Sequence, residues 1–173
     1  MADPHSLDFM RLPVDTLIAL DWRPYHFFLQ RYHHLVRLAH ILSVSLFFGS
    51  IGLLDLRLVG VRGDLPLQPF AKHTLPCLWV TFGIAMVTGV ALFFYDPVHV
   101  GAHAYFTGKV ALIVLGCVNA VVFHRFGYVE ALAAEGRPSV GARCAGALSL
   151  LFWGGVMVCA CLNVEAEPKV FLR

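Results

Sequence analysis

A chain of 173 residues with 58% hydrophobic and 14% charged side chains, a formal charge of +2 and a mean hydropathy of +0.72 does not have the composition of a water-soluble domain, in which about a quarter of residues are Asp, Glu, Lys or Arg. The small net charge gives no reason to expect a nucleic-acid partner. H-E-x-x-H, G-x-S-x-G and phosphate-binding glycine loops are absent from the sequence, which argues against hydrolytic or nucleotide-driven chemistry.

The first thirty residues lack the basic, apolar and small-residue regions of a signal peptide, so the first span is expected to direct insertion itself. Pro13 to Trp22 reads as a short amphipathic turn or two, with Leu17, Ile18 and Leu20 among Asp15 and Asp21. Trp22, Tyr25, Phe27 and Phe28 follow as an aromatic belt suited to headgroup depth. Residues 1–31 are therefore expected to form an interfacial segment, 32–164 a four-helix transmembrane bundle and 165–173 a tail. The fold class is all-α, a polytopic membrane protein with a short N-terminal interfacial helix.

Four charge-free stretches define the bundle: Leu38–Leu54, Leu75–Tyr95, Val110–Phe123 and Cys144–Val164. A hydrocarbon core of about 30 Å needs about 20 mostly apolar residues in a helix, which each stretch supplies once its flanks are counted. The spans are expected at about Tyr32–Val59, Leu75–Tyr95, Tyr105–Phe126 and Gly141–Val164. Thr74 followed by Leu75 and Pro76 reads as an N-cap with proline in the first turn. Four full crossings put the N-terminus, the second-to-third loop and the C-terminus at one end, called A. The other two loops lie at end B.

Basic residues divide almost evenly, with Arg11, Arg23, Arg31, Arg37, Lys109, Lys169 and Arg173 at end A against Arg57, Arg62, Lys72, Arg125, Arg137 and Arg143 at end B. Concentration of the second set in two short loops favours end B in the cytoplasm. Asp55 has Arg57, Lys72 or Arg125 as expected ion-pair partners.

The histidines fall at the rims: His33, His34, His40, His99 and His103 at end A, His73 and His124 at end B. His33, Arg37 and His40 are spaced to share one stripe of the first span, with His40 the deepest. Neutral imidazole is an axial ligand for haem iron, and an arginine fork suits a propionate. Against this stands the plain role of a rim histidine as an amphipathic side chain, the expected one for His26, His33, His34 and His99. Arg37 and Lys109 can equally snorkel to headgroups. His40 lies inside an apolar run, where a polar side chain tends to face a partner or a site.

Gly49-Ser50, Asp55-Leu56-Arg57-Leu58-x-Gly60, Thr88-Gly89-x-x-Leu92-Phe93, Lys109 and Asn119-x-x-x-Phe123-His124 resemble the pattern of small bacterial four-helix membrane proteins catalogued as a domain of unknown function, the DUF6644 type. The likeness runs from about Leu38 to Val164 and implies the fold and no activity. A histidine early in the first span and a lysine opening the third, with a histidine at its far end, more distantly resemble haem-binding four-helix protoporphyrinogen oxidases and copper-resistance D-type proteins. That resemblance implies haem-associated roles for His40 and Lys109. It also implies the bacterial inner membrane as location, with a periplasmic N-terminus from the charge argument.

Helical rise puts His40 and Asp55, or Lys109 and His124, roughly 22 Å apart, so one haem near each rim is an option. The expected ligands are His40 with His103 or a group on another helix at end A and His124 with His73 at end B, with Arg37 or Lys109 on propionates. Without C-x-x-C-H any haem is b-type and noncovalent. Five cysteines, Cys77, Cys117, Cys144, Cys159 and Cys161, support no disulfide framework, although Cys159 and Cys161 form a C-x-C that could take copper. The expected function is thus transmembrane electron transfer by one or two b haems, linked to quinone or quinol or to a larger redox complex. The alternatives are a cofactor-free accessory or anchor subunit of a membrane complex and copper or small-solute transport.

Overall fold

The computed structural model describes residues 11–61, 66–133 and 138–165. Eight helices occur among them: α1 (Val14–Leu20), α2 (Arg23–Gln30), α3 (His33–Val59), α4 (Leu67–Tyr95), α5 (Pro97–Gly101), α6 (Phe106–Phe126), α7 (Tyr128–Ala133) and α8 (Val140–Glu165). Helices α3, α4, α6 and α8 are long and apolar enough to cross a membrane. The first, third and fourth match the expected spans to within two residues.

The second span differs. α4 begins at Leu67, eight residues earlier than expected, with Pro66 at its N-cap and Pro76 inside the helix. Pro69 falls in the first turn, where no intrahelical N–H is needed. Thr74 is not the cap: its hydroxyl donates to the Phe70 carbonyl at 2.9 Å, one turn back along a helix already under way. His73, expected just outside this span, is therefore an exposed residue within it. The connections at both ends also hold short helices that the hydropathy pattern does not reveal, α5 and α7.

The long helices pack as two pairs, α3 with α4 and α6 with α8, joined through α3 against α8. The join is tight because of glycine. A β-carbon on Gly146 would come within 2.9 Å of the Leu58 Cβ and 3.0 Å of the Asp55 carbonyl oxygen, so only hydrogen lets the two backbones approach there. Arg143 adds a bond from Nε to the Val59 carbonyl at 3.2 Å. α3 ends on Gly60, whose φ of 109° is left-handed, and whose N–H bonds the Leu56 and Arg57 carbonyls. Glycine takes that conformation without the Cβ clash.

The mid-bundle core is aromatic. Trp153 of α8 meets Phe47 of α3 edge-on at 4.7 Å between ring centres, with Phe48 and Phe82 at 6.1 and 6.0 Å, an arrangement that the ring quadrupoles favour. A second cluster at end B joins Leu58, Leu67, Ala131 and Ala142, so α7 is packed down onto that end.

α4 and α6 are not packed along their lengths. At end A, Phe93 stacks on Phe106 at 5.3 Å; toward end B the space between the two helices is a cavity. The N-terminal helices close over end A: Leu17 of α1 is fully buried against Gly101 of α5, where any β-carbon would collide with it. α2 lies on α4, with Tyr25 donating to the Ala91 carbonyl at 3.2 Å.

Candidate functional sites at the two ends of the bundle

At end A the His33 and His40 side chains both meet α4. Helix geometry accounts for this, since residues seven apart are two turns apart on one stripe. Between them Arg37 is exposed. The His40 Nδ1 lies 3.0 Å from the Thr88 hydroxyl oxygen. That hydroxyl has one proton and a closer acceptor for it, the Ile84 carbonyl at 2.6 Å. The imidazole is therefore the donor to Thr88, and the ring also meets the Ala85 carbonyl one turn back on α4. A β-carbon on Gly89 would stand 3.1 Å from the His40 Cε1, so the glycine provides the space the ring occupies.

Lys109, half-buried near the start of α6, is within electrostatic reach of His40 and of Cys159 on α8. Its Nζ sits 5.7 Å over the Phe106 ring. α3, α6 and α8 thus bring His40, Lys109 and Cys159 toward this level of the bundle.

Sequence reasoning missed a second grouping at this end. Tyr95, the last residue of α4, is stacked between His26 and His33 at 4.4 and 4.3 Å, and His26 Nδ1 donates to the Tyr95 carbonyl at 2.8 Å. Two histidines set aside as rim residues are brought together by a tyrosine more than sixty positions away. His103, between α5 and α6, bonds through Nδ1 to the His99 carbonyl at 2.6 Å, which likewise fixes its proton on Nδ1.

The end B site is a cavity of about 520 Å³, within the range of small-molecule sites. Leu75, Leu78, Trp79 and Phe82 of α4 form one wall, and Cys117, Asn119, Ala120, Val121, Phe123 and His124 of α6 the other. Its floor is Asp55 of α3 with Ser149 and Trp153 of α8. Asp55 is 4% exposed and accepts a hydrogen bond from Ser149, not the ion pair expected from Lys72 or Arg125. No ion pair between Asp55 and either of those is present among the described residues. One carboxyl oxygen, Oδ2, and the Trp153 indole Nε1 are buried with no hydrogen-bond partner. Asn119 is already engaged, donating Nδ2 to the Ala145 carbonyl at 3.0 Å.

His124 borders this cavity, but its ring is stacked on Tyr128 at 4.5 Å and exposed. His73 is not among the lining residues. The cavity thus offers one imidazole where the sequence pattern suggested two. Among the described residues no group of three or more His, Cys, Asp and Glu side chains is placed to hold a metal ion. Cys159 is half-buried and Cys161 exposed, so the C-x-C forms part of no such cluster.

No family model, curated protein or solved structure matches this chain.

Proposed function

We propose that this chain is a multi-pass protein of the bacterial inner membrane that binds haem b at end A and takes part in electron transfer with a quinol or a redox partner. The observation that carries this reading is the His40–Thr88 contact at 3.0 Å. Iron-ligating histidines commonly donate their other ring N–H to a fixed acceptor, which sets tautomer and orientation. Thr88 is such an acceptor.

The donor set fits the group in these respects: His40 is an imidazole held by Thr88 in the space Gly89 gives its ring, and Lys109 and Arg37 are cations suited to propionates. Haem b, when bound, supplies a one-electron couple whose potential depends on axial ligands and burial. What the chain contributes is orientation of His40 by Thr88, a low-dielectric surround from α3 and α4, and positive charge from Lys109. His103 is the proposed second ligand. At end B the single cavity-lining imidazole of His124 supports a second haem less well, since the His73 partner does not line the cavity.

Membrane embedding is supported by the four apolar helices and by exposed Leu, Val and Ile along their outer faces, a surface water would not tolerate. Trp22, Phe27 and Phe28, 64–66% exposed beside end A, suit an interfacial position. The basic loops at end B favour a periplasmic N-terminus.

A visible absorption spectrum of the detergent-purified protein, oxidised and dithionite-reduced, tests the reading. A b-type spectrum that His40→Ala abolishes supports it, and a colourless folded protein defeats it.

A specific observation favours a second reading, an accessory or anchor subunit without a cofactor. Gly49, Gly83 and Gly154 are exposed on α3, α4 and α8 with nothing within 4 Å of where a β-carbon would be, unlike Gly89 and Gly146, which neighbours use. Open small-residue notches suit close approach of helices from another chain. Co-purification of a stoichiometric membrane partner with a colourless preparation is the outcome this reading expects.

A further inference from the structure

We propose that the end B cavity binds a tail-bearing phenol that enters sideways from the bilayer, between α4 and α6, and hydrogen-bonds to Asp55. The inference rests on the membrane placement above but not on haem.

Three features of the cavity specify the ligand. The first is its mouth. α4 and α6 do not pack along their lengths, and Trp79 and Val121, which line the cavity from these two helices, are 56% and 62% exposed. In a bilayer that opening faces acyl chains, while α7 covers end B through Ala131, which is 1% exposed. A molecule dissolved in the membrane has direct access, and its apolar tail can remain in lipid.

The second feature is the floor. A buried polar atom without a partner keeps the full cost of its lost hydration, and native interiors hold few of them. Here one belongs to Asp55, a lining residue of the cavity, whose Oδ2 has no partner; the Nε1 edge of Trp153 lies instead against Gly116 of α6, outside the lining. Asp55 and Trp153 are both more than nine-tenths buried. Ser149 and Trp153 are one turn apart on α8, about 6 Å, and Asp55 is bonded to Ser149. An O–H group both donates and accepts, so a hydroxyl-bearing head satisfies Asp55 in either protonation state. An alkyl tail alone satisfies neither.

The third feature is the ring content of the walls. Phe47, Trp79, Phe82, Phe123, Tyr128 and Trp153 all line the space. Aromatic neighbours reward a flat aromatic head over an aliphatic alcohol of the same length.

The test uses the full chain with Trp22→Phe, in lipid nanodiscs, so that Trp79 and Trp153 report the cavity. The probe is a decyl-substituted hydroquinone, with decylbenzene and decanol as comparisons. Saturable quenching by the hydroquinone is expected, with at least about tenfold weaker response to the other two, the value of one hydrogen bond of about 1.4 kcal/mol. Asp55→Leu is expected to weaken hydroquinone binding about tenfold. Ala120→Phe, at an exposed wall position, is expected to abolish it by filling the mouth while leaving helicity and monodispersity unchanged.

Equal binding of decylbenzene would mean that the cavity is merely occupied by lipid tails, and equal binding of decanol that no phenol is selected; either overturns the proposal. So does unchanged binding in a folded Asp55→Leu protein. Should that variant not fold, Ala120→Phe and the three-probe comparison decide by themselves. The haem spectrum is read separately from the same samples, so a colourless protein that binds hydroquinone defeats only the haem reading.

Discussion

His40 of α3 and Thr88 of α4 are joined nitrogen to oxygen at 3.0 Å, and the threonine passes its own proton on to the Ile84 carbonyl 2.6 Å away. The chain of two bonds has a direction. It fixes which imidazole nitrogen carries the proton and holds the ring against Gly89.

Removing the acceptor while keeping the shape tests that direction. Thr88→Val leaves the His40 Nδ1–H without its partner and frees the ring to turn. Loss of such a supporting partner typically costs 10–100-fold in metal affinity, so haem retained per polypeptide through purification is expected to fall in Thr88→Val and to vanish in His40→Ala. Thr88→Ser, which keeps the hydroxyl, is expected to restore it. Equal haem content in Thr88→Val and wild type would show that the contact does not support a ligand.

The α3–α8 crossing predicts a position-specific intolerance. Gly146→Val would put a β-carbon within 2.9 Å of Leu58 and 3.0 Å of the Asp55 carbonyl, and backbone cannot yield as a flexible side chain does. Overpacking of this kind costs about 1–3 kcal/mol. Gly154→Val, on the same helix with open space around it, is expected to cost far less. Thermal unfolding of the two variants in the same detergent measures the difference.

Asp55 is expected to oppose stability and serve binding at the same time. Its unpartnered oxygen is a cost to the ligand-free fold, so the double variant Asp55→Leu with Ser149→Ala, which removes both ends of the polar floor, is expected to raise the melting temperature. Replacing both partners by apolar groups is nearly neutral or stabilising, whereas removing one strands the other. Ser149→Ala alone should therefore be less stable than either wild type or the double variant, by about 1–3 kcal/mol.

The cover over end A depends on a single small residue. Gly101 leaves the space that the fully buried Leu17 fills, and Arg11 of the same segment donates Nη1 to the Ala102 carbonyl at 3.0 Å. Gly101→Val is expected to lift α1 from α5. Limited trypsinolysis at Arg11, on the Arg11–Leu12 bond, should then be faster than in wild type, with the long helices still protected.

Three of the four long helices could be read from the sequence because an uncharged run of about twenty residues has the length and character that a bilayer crossing demands. The start of α4 could not. Lys72 and His73 break the apolar run, and Pro66, Pro69 and Pro76 look like loop punctuation, although only Pro76 lies where it removes a backbone bond. His40 was legible as a polar residue within an apolar stretch. Its partner was not, because threonine is unremarkable in such a helix and Thr88 is 48 positions away. The end B floor was hidden for the same reason: Asp55 has nearby cations in sequence, yet its partner is a serine on the last helix. The Tyr95 sandwich was obscured because His26 and His33, seen one at a time, are ordinary rim residues.

α8 ties the second pair of long helices to the first: it packs on α3 and on α6, while α4 and α6 leave a gap between them. It is also the last of the four to be synthesised. Until it emerges, α3 and α4 can pair as neighbours in the chain, but α6 has no long helix to rest on. Closure of the bundle, the seating of Trp153 and the completion of the Asp55 site are therefore events of the final stage of biogenesis. A polypeptide halted before Val140 would leave α6 with no long helix packed along it, a target for quality-control proteases rather than a smaller working protein.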